Sequence, residues 1–197
     1  MPSNLAACIS LDNVENSSPD MPSAIADSEE AIRLLEQAVT LAAAQASPFA
    51  PRVQMSLGLA YRARAGLHLM LNELAAAEAS LDQAKSALDQ ALAVFTPEDD
   101  PVYYAWSQVS LGTVARLRAH IAALHREQAN DAAVRATANA EQIGWLQSTI
   151  AHYDACLALE ARTAGNVLFQ QRVLECSCRP FALEARQVLS STLEVKP

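Results

Sequence analysis

The chain has 197 residues and a net charge of −8, from 22 acidic and 14 basic side chains. Forty alanines and 25 leucines make up nearly a third of it, against five glycines and 5% aromatic residues. Ala and Leu are the strongest helix formers, whereas strands draw on β-branched and aromatic residues, so the composition argues against a sandwich, a barrel or a glycine-rich nucleotide fold. The length gives one domain or two small ones. The only lysines are Lys85 and Lys196. Phosphate neutralisation needs clustered cations, so nucleic acid is not an expected partner.

Residues 1–22 carry Ser17-Ser18-Pro19-Asp20 and Met21-Pro22, turn and linker chemistry, and read as an acidic irregular tail with apolar positions at Leu5, Ile9, Leu11 and Val14. Leu5-Ala6-Ala7-Cys8 matches a bacterial lipobox in letters. A lipoprotein leader needs a cationic start and about 7–15 apolar residues, and the Met-Pro-Ser-Asn before Leu5 supplies neither. From Ser23 the helical period sets in. Ile25, Ile32, Leu35, Ala38, Val39 and Ala42 recur at spacings of three and four, up to the break at Ser47-Pro48. A second helix is predicted over 51–71, opened by Pro51 and closed by a tight turn at Asn72. A third, over 73–95, has the stripe Leu74, Ala77, Leu81, Ala84, Leu88, Ala91 and Leu92. The loop Thr96-Pro97-Glu98-Asp99-Asp100-Pro101 caps a fourth over 101–126. Asp131 offers the next N-cap. Residues 131–164 form one long helix, irregular near Gly144, or two split near Asn139, with Gly165-Asn166 as the stop. A short helix over 167–176, a break at Arg179-Pro180 and a last helix over 180–193 complete the chain. The domain reading is a tail over 1–22, a helical array over 23–165 and capping helices over 166–197.

Two internal correspondences stand out. Leu57-Gly58 and Leu111-Gly112 each lie inside a helix that follows a proline, and the first continues to Tyr61. Ile32-x-x-Leu35-x-x-Ala38-Val39 has the spacing of Ile150-x-x-Tyr153-x-x-Cys156-Leu157, and Leu88-x-x-Ala91-Leu92 repeats its last part. On these residues the chain, over about residues 25–160, resembles tetratricopeptide-repeat (TPR) proteins. There Gly and Ala let paired helices approach closely and bulky residues fill the grooves between them. The two Leu-Gly pairs are 54 residues apart, against the familiar 34, and Ala115 stands where a second Tyr belongs. The resemblance is therefore to elongated variants found in large bacterial signalling and peptidase-associated proteins. It implies an all-α, TPR-like α-α hairpin array, a short α-solenoid of about six to seven helices. It also implies a non-catalytic scaffold, adaptor or regulatory subunit holding a partner segment in a concave groove. A regulatory subunit that binds a small ligand between helices is the alternative.

In such arrays the first helix of each repeat lines the groove. Arg62 and Arg116 each follow their glycine by four residues, and Arg52 and Trp106 each precede it by six. With Met55, Leu59, Val109 and Thr113 between them, these residues predict two planar cations and a Trp over an apolar floor. Arginine forks bind carboxylates in bidentate fashion, so an acidic protein or peptide segment is the predicted partner. Six net negative charges fall in residues 1–30, leaving −2 on residues 31–197, so the tail is itself a candidate occupant. An array this short leaves apolar ends, and self-association is a further expectation.

No enzyme is predicted. There is no G-x-S-x-G or H-E-x-x-H pattern. His152 and Cys156 share a helix face and Cys176-x-Cys178 adds two thiols, but zinc sites favour C-x₂₋₄-C spacing, so no metal site is predicted. No cofactor is implied. Cys8, Cys156, Cys176 and Cys178 lack framework spacing and read as reduced thiols in a cytoplasmic protein. The longest strongly apolar stretch, 39–46, is interrupted by Thr40 and Gln45 and is far short of the ~20 residues a membrane span needs.

Overall fold

The computed structural model describes residues 21–166 and 169–194, and among them every regular element is helical. Six α-helices run in the order α1 (Met21–Ala44), α2 (Ala50–Met70), α3 (Leu74–Leu92), α4 (Pro101–Gln128), α5 (Ala132–Leu157) and α6 (Arg179–Glu194). A π-helical segment, Gln170–Cys178, leads directly into α6. Residues 1–20 of the predicted tail lie outside the described residues, while Met21 and Pro22 already belong to α1.

The helix ends follow from local chemistry. Pro51 and Pro101 sit in the first turns of α2 and α4, where a missing N–H costs nothing. The Asp131 carboxylate accepts the N–H groups of Ala133 and Val134 at 2.8 and 3.0 Å and starts α5. Asn72, with φ at 58°, turns the chain between α2 and α3 in the left-handed conformation that Asn tolerates.

Two boundaries differ from the sequence expectation. Helix α5 is continuous through Asn139 and Gly144 but ends at Leu157, with turns over 158–165. Leu159 and Thr163 are buried there, and Arg162 reaches out to the Pro97 carbonyl and Glu98 in the α3–α4 loop. The Gln170 amide donates to the Glu160 carbonyl at 2.8 Å, which replaces the partner that a continued helix would supply. Arg179-Pro180, for its part, marks no gap. Proline has no N–H and crowds the carbonyl four residues back, so the winding changes from π to α at this point.

Short connections make chain neighbours antiparallel. Along α2 and α3, Gly58 faces Leu88, Arg64 donates to Ser80 and Gln83, and His68 meets Glu73. Along α4 and α5, Gly112 faces Tyr153, Gln108 meets His152, and Arg126 donates to Gln142. Both Leu-Gly glycines are therefore points of closest helix approach. A Cβ at Gly58 would lie 2.6 Å from Leu88 Cγ, and one at Gly112 would lie 3.0 Å from Tyr153 Cε1. Leu88 and Tyr153 are also the residues that correspond in the sequence spacing of their helices.

One core, with Ile32, Tyr61, Leu81, Leu88, Leu111 and Val114, joins α1 through α4. A second, with Val109, Tyr153, Leu159, Phe169, Val173 and Leu174, ties the C-terminal elements to α4 and α5. In it Cys156 and Cys178, both fully buried, form a disulfide across 22 residues of chain with Cα atoms 6.4 Å apart. This corrects the expectation of reduced thiols for that pair. The start of α6 packs on the end of α5, a proximity that sequence spacing does not display. Cys8 and the Cys176 side chain lie outside what the structure describes. No helix among the described residues is long and apolar enough to cross a membrane.

The two kinds of helix glycine should respond oppositely to alanine. Gly58→Ala forces a methyl onto the branch carbon of Leu88 and is expected to cost about 1–3 kcal/mol. Gly66→Ala meets nothing within 4 Å and should gain up to about 1 kcal/mol of helix propensity. Urea denaturation of both variants tests this, and equal stabilities would show that the close approach is not made.

Candidate functional site

The α2–α4 contact brings the predicted arginine pair together. Arg62 is half-buried, and burial pushes its guanidinium below the ordinary value, with Arg116 lowering it further and Tyr153 opposing. Among the described residues no carboxylate lies within ion-pair distance of Arg62. Two like charges thus share one region with little internal neutralisation.

Tyr153 is the centre beneath them. It is fully buried, and its hydroxyl lies 3.2 Å from Thr113 Oγ1. Burial raises the phenol above its usual value, while Thr113, Arg116 and Arg62 pull it down and Glu184 pushes it up. Those influences place Arg62, Thr113, Arg116 and Glu184 around one hydroxyl. Arg116 extends over the Phe181 ring, 4.4 Å from its centroid, and one amino group stands 3.7 Å from Glu184 Oε2. That separation is an ion pair without a hydrogen bond. The Arg116 Nε is buried with no hydrogen-bond partner.

The remaining predicted groove residues divide. Trp106 is exposed at 39% and Leu59 is half-buried, so both are available at the surface. Met55 and Val109 are buried at 9% and 5% and belong to the first and second cores. Helix α2 is apolar on more than one side, so periodicity alone did not choose between its faces. Arg52 pairs with Asp100 at 3.8 Å and lies over the Tyr103 ring at 4.2 Å, engaged within its own chain. Beside the arginine pair, Arg116, His120, Arg126, Glu127, Gln142 and Glu184 border a solvent-open cleft of about 430 Å³ between α4, α5 and α6. Sequence reading missed Tyr153, Phe181 and Glu184 as neighbours of the arginines. Tyr153 carried a signal, its match to Leu88, whereas α6 reaches the site only through tertiary packing.

His152 and Cys156 do not act as a pair. Cys156 is in the disulfide, and His152 Nδ1 donates to the buried Gln108 Oε1 at 2.7 Å. No group of three or more His, Cys, Asp or Glu among the described residues is arranged to hold a metal ion. No family model, curated protein or solved structure matches this chain.

Burial lowers the His152 imidazole below its ordinary 6.5, with Asp89 opposing and Lys85 adding to the effect. The unfolded chain therefore binds a proton at higher pH than the folded one, so folding stability is lost as pH falls through 6.5 toward the folded value. Thermal melts of wild type and His152→Gln between pH 7.5 and 5 should diverge only at the acidic end, with wild type losing more. Parallel curves would count against a buried neutral imidazole.

Proposed function

We propose that this chain is a non-catalytic interaction module, a TPR-like hairpin array whose α2–α4 face holds an acidic segment of a partner protein. The observation that carries it is the convergence of Arg62 and Arg116 with no full internal neutralisation. Isolated cations at a protein surface normally separate or find carboxylates, and two half-buried cations near enough to repel each other are suited to a ligand that brings its own negative charge. Two hairpins that each cross closely at a Leu-Gly glycine support the repeat reading, in which Arg62 and Arg116, four residues beyond those glycines, correspond. Exposed Trp106 on α4 adds the aromatic type enriched in interaction hot spots. The small-ligand sensor is the weaker reading, since the cleft beside Arg116 is open and lined by both signs of charge.

The test is fluorescence anisotropy with a labelled penta-glutamate peptide and a penta-glutamine control. Binding of the acidic peptide should weaken at least about tenfold in Arg62→Ala/Arg116→Ala, since a hydrogen bond to a charged group contributes about 1.5–3 kcal/mol. Equal binding by the double variant, or equal binding of the neutral peptide, would sink the proposal.

A further inference from the structure

The carboxylate nearest the arginine pair belongs to α6, and α6 is tied down by a covalent bond. Cys178 is the residue immediately before α6, with Phe181 and Glu184 three and six residues beyond it, so all three lie within two helical turns. Phe181 lies under the Arg116 guanidinium and against the Tyr153 ring, and Glu184 supplies the opposite charge. The other attachments of this helix are noncovalent. Ala182 and Ala185 are buried in the core and Phe181 and Leu189 pack partly buried against it, while Leu183 and Leu193 are exposed at 58% and 61%. Its ion pairs, Arg179 with Glu160 and Arg186 with Asp154, are half-exposed, a class of contact that contributes little. The disulfide to Cys156 is thus the strongest single tie between the start of α6 and the end of α5.

We propose that α6 is a redox-set gate on the arginine pair: with the Cys156–Cys178 disulfide closed, Phe181 and Glu184 occupy Arg116, and reduction releases α6 so that Arg62 and Arg116 can take an external carboxylate. A dithiol reductant supplies the two electrons and two protons. The S–S bond breaks to give two thiols, and the reductant closes to its own disulfide. Both sulfurs are buried, so the reductant reaches them when α6 opens locally. The gate rests on the proposed binding function, and the two can fail separately.

The experiment measures the labelled penta-glutamate peptide by anisotropy on the full chain, after oxidation with glutathione disulfide and again in excess dithiothreitol. Affinity should rise about three- to fivefold on reduction, the scale of one half-exposed ion pair. Glu184→Gln in the oxidised state should already bind that much more tightly, which tests the gate even if reduction loosens the whole chain. Hydrogen exchange should quicken in α6 on reduction and stay unchanged in α3. Binding that depends on Arg62 and Arg116 but ignores both reduction and Glu184→Gln would overturn the gate and leave the groove standing. Absence of arginine-dependent binding in every form would overturn both. Alkylation of Cys156 and Cys178 in the oxidised protein without reductant would remove the gate at its source.

Discussion

The ring of Tyr153 lies against the backbone of α4 at Gly112, in space that a single methyl group would invade. That contact fixes how closely α4 and α5 can run, and through it nearly everything else in the C-terminal half. The hydroxyl at the far end of the ring is delivered to Thr113, below the two arginines. The ring itself packs on Phe181 at 5.8 Å, which seats the first turn of α6. One turn along α5, Cys156 closes the covalent tie to the same region. Core packing and the candidate site are therefore one set of contacts, because the aromatic ring that fills the helix crossing also carries the polar atom around which the site is arranged.

Comparison of the arginines shows why this pair matters more than the others. Arg118 is engaged by Asp82 and the Glu78 carbonyl and lies 5.1 Å from the Trp145 ring, and Arg52 has Asp100 and Tyr103. These cations are consumed in holding neighbouring helices together. Arg62 on α2 and Arg116 on α4 each follow a close-packed glycine by four residues, and the only carboxylate within ion-pair distance of either among the described residues is Glu184 at 3.7 Å from Arg116. Guanidinium suits such a place better than ammonium. It stays charged when half-buried, stacks on Phe181, and presents a planar fork to an incoming carboxylate.

Much of the architecture was legible in the sequence because the causes are local. Pro51, Pro101, Asn72 and Asp131 set helix ends through their own backbone chemistry, and the three-and-four spacing of small and bulky residues marks the faces that meet. Arg62 and Arg116 were singled out by their equal offsets from Gly58 and Gly112, and in the structure both act electrostatically on Tyr153. The end of α5, the disulfide and the approach of Glu184 were not. Each depends on where residues beyond 158 fold back, and that is decided by burial of Leu159, Phe169, Val173 and Leu174 against α4 and α5 rather than by any local preference. A helix apolar on several sides, such as α2, does not announce which apolar side chain, Met55 among them, becomes core.

The two hairpins differ in where they keep their phenol. The first has Tyr61 on its first helix and Leu88 at the glycine crossing, and the second has Ala115 and Tyr153 at those places. In the first hairpin the Tyr61 hydroxyl donates to the Glu36 carboxylate of α1, which with burial raises the phenol to about 12. Its polar end is satisfied by α1, and Leu88 offers no polar atom to the crossing. In the second hairpin the hydroxyl is at the crossing, where it meets a neutral Thr113 and feels the charges of Arg116 and Arg62. The position that Leu88 fills in the first hairpin holds in the second a ring with a polar end, and the carboxylate that acts on that end is Glu184 of α6, a helix joined to α5 and α4 by the disulfide and by the packing of Phe181, Ala182, Ala185 and Leu189. The second hairpin thus differs from the first in having an aromatic ring at its helix crossing, with incompletely neutralised charges near the ring's hydroxyl.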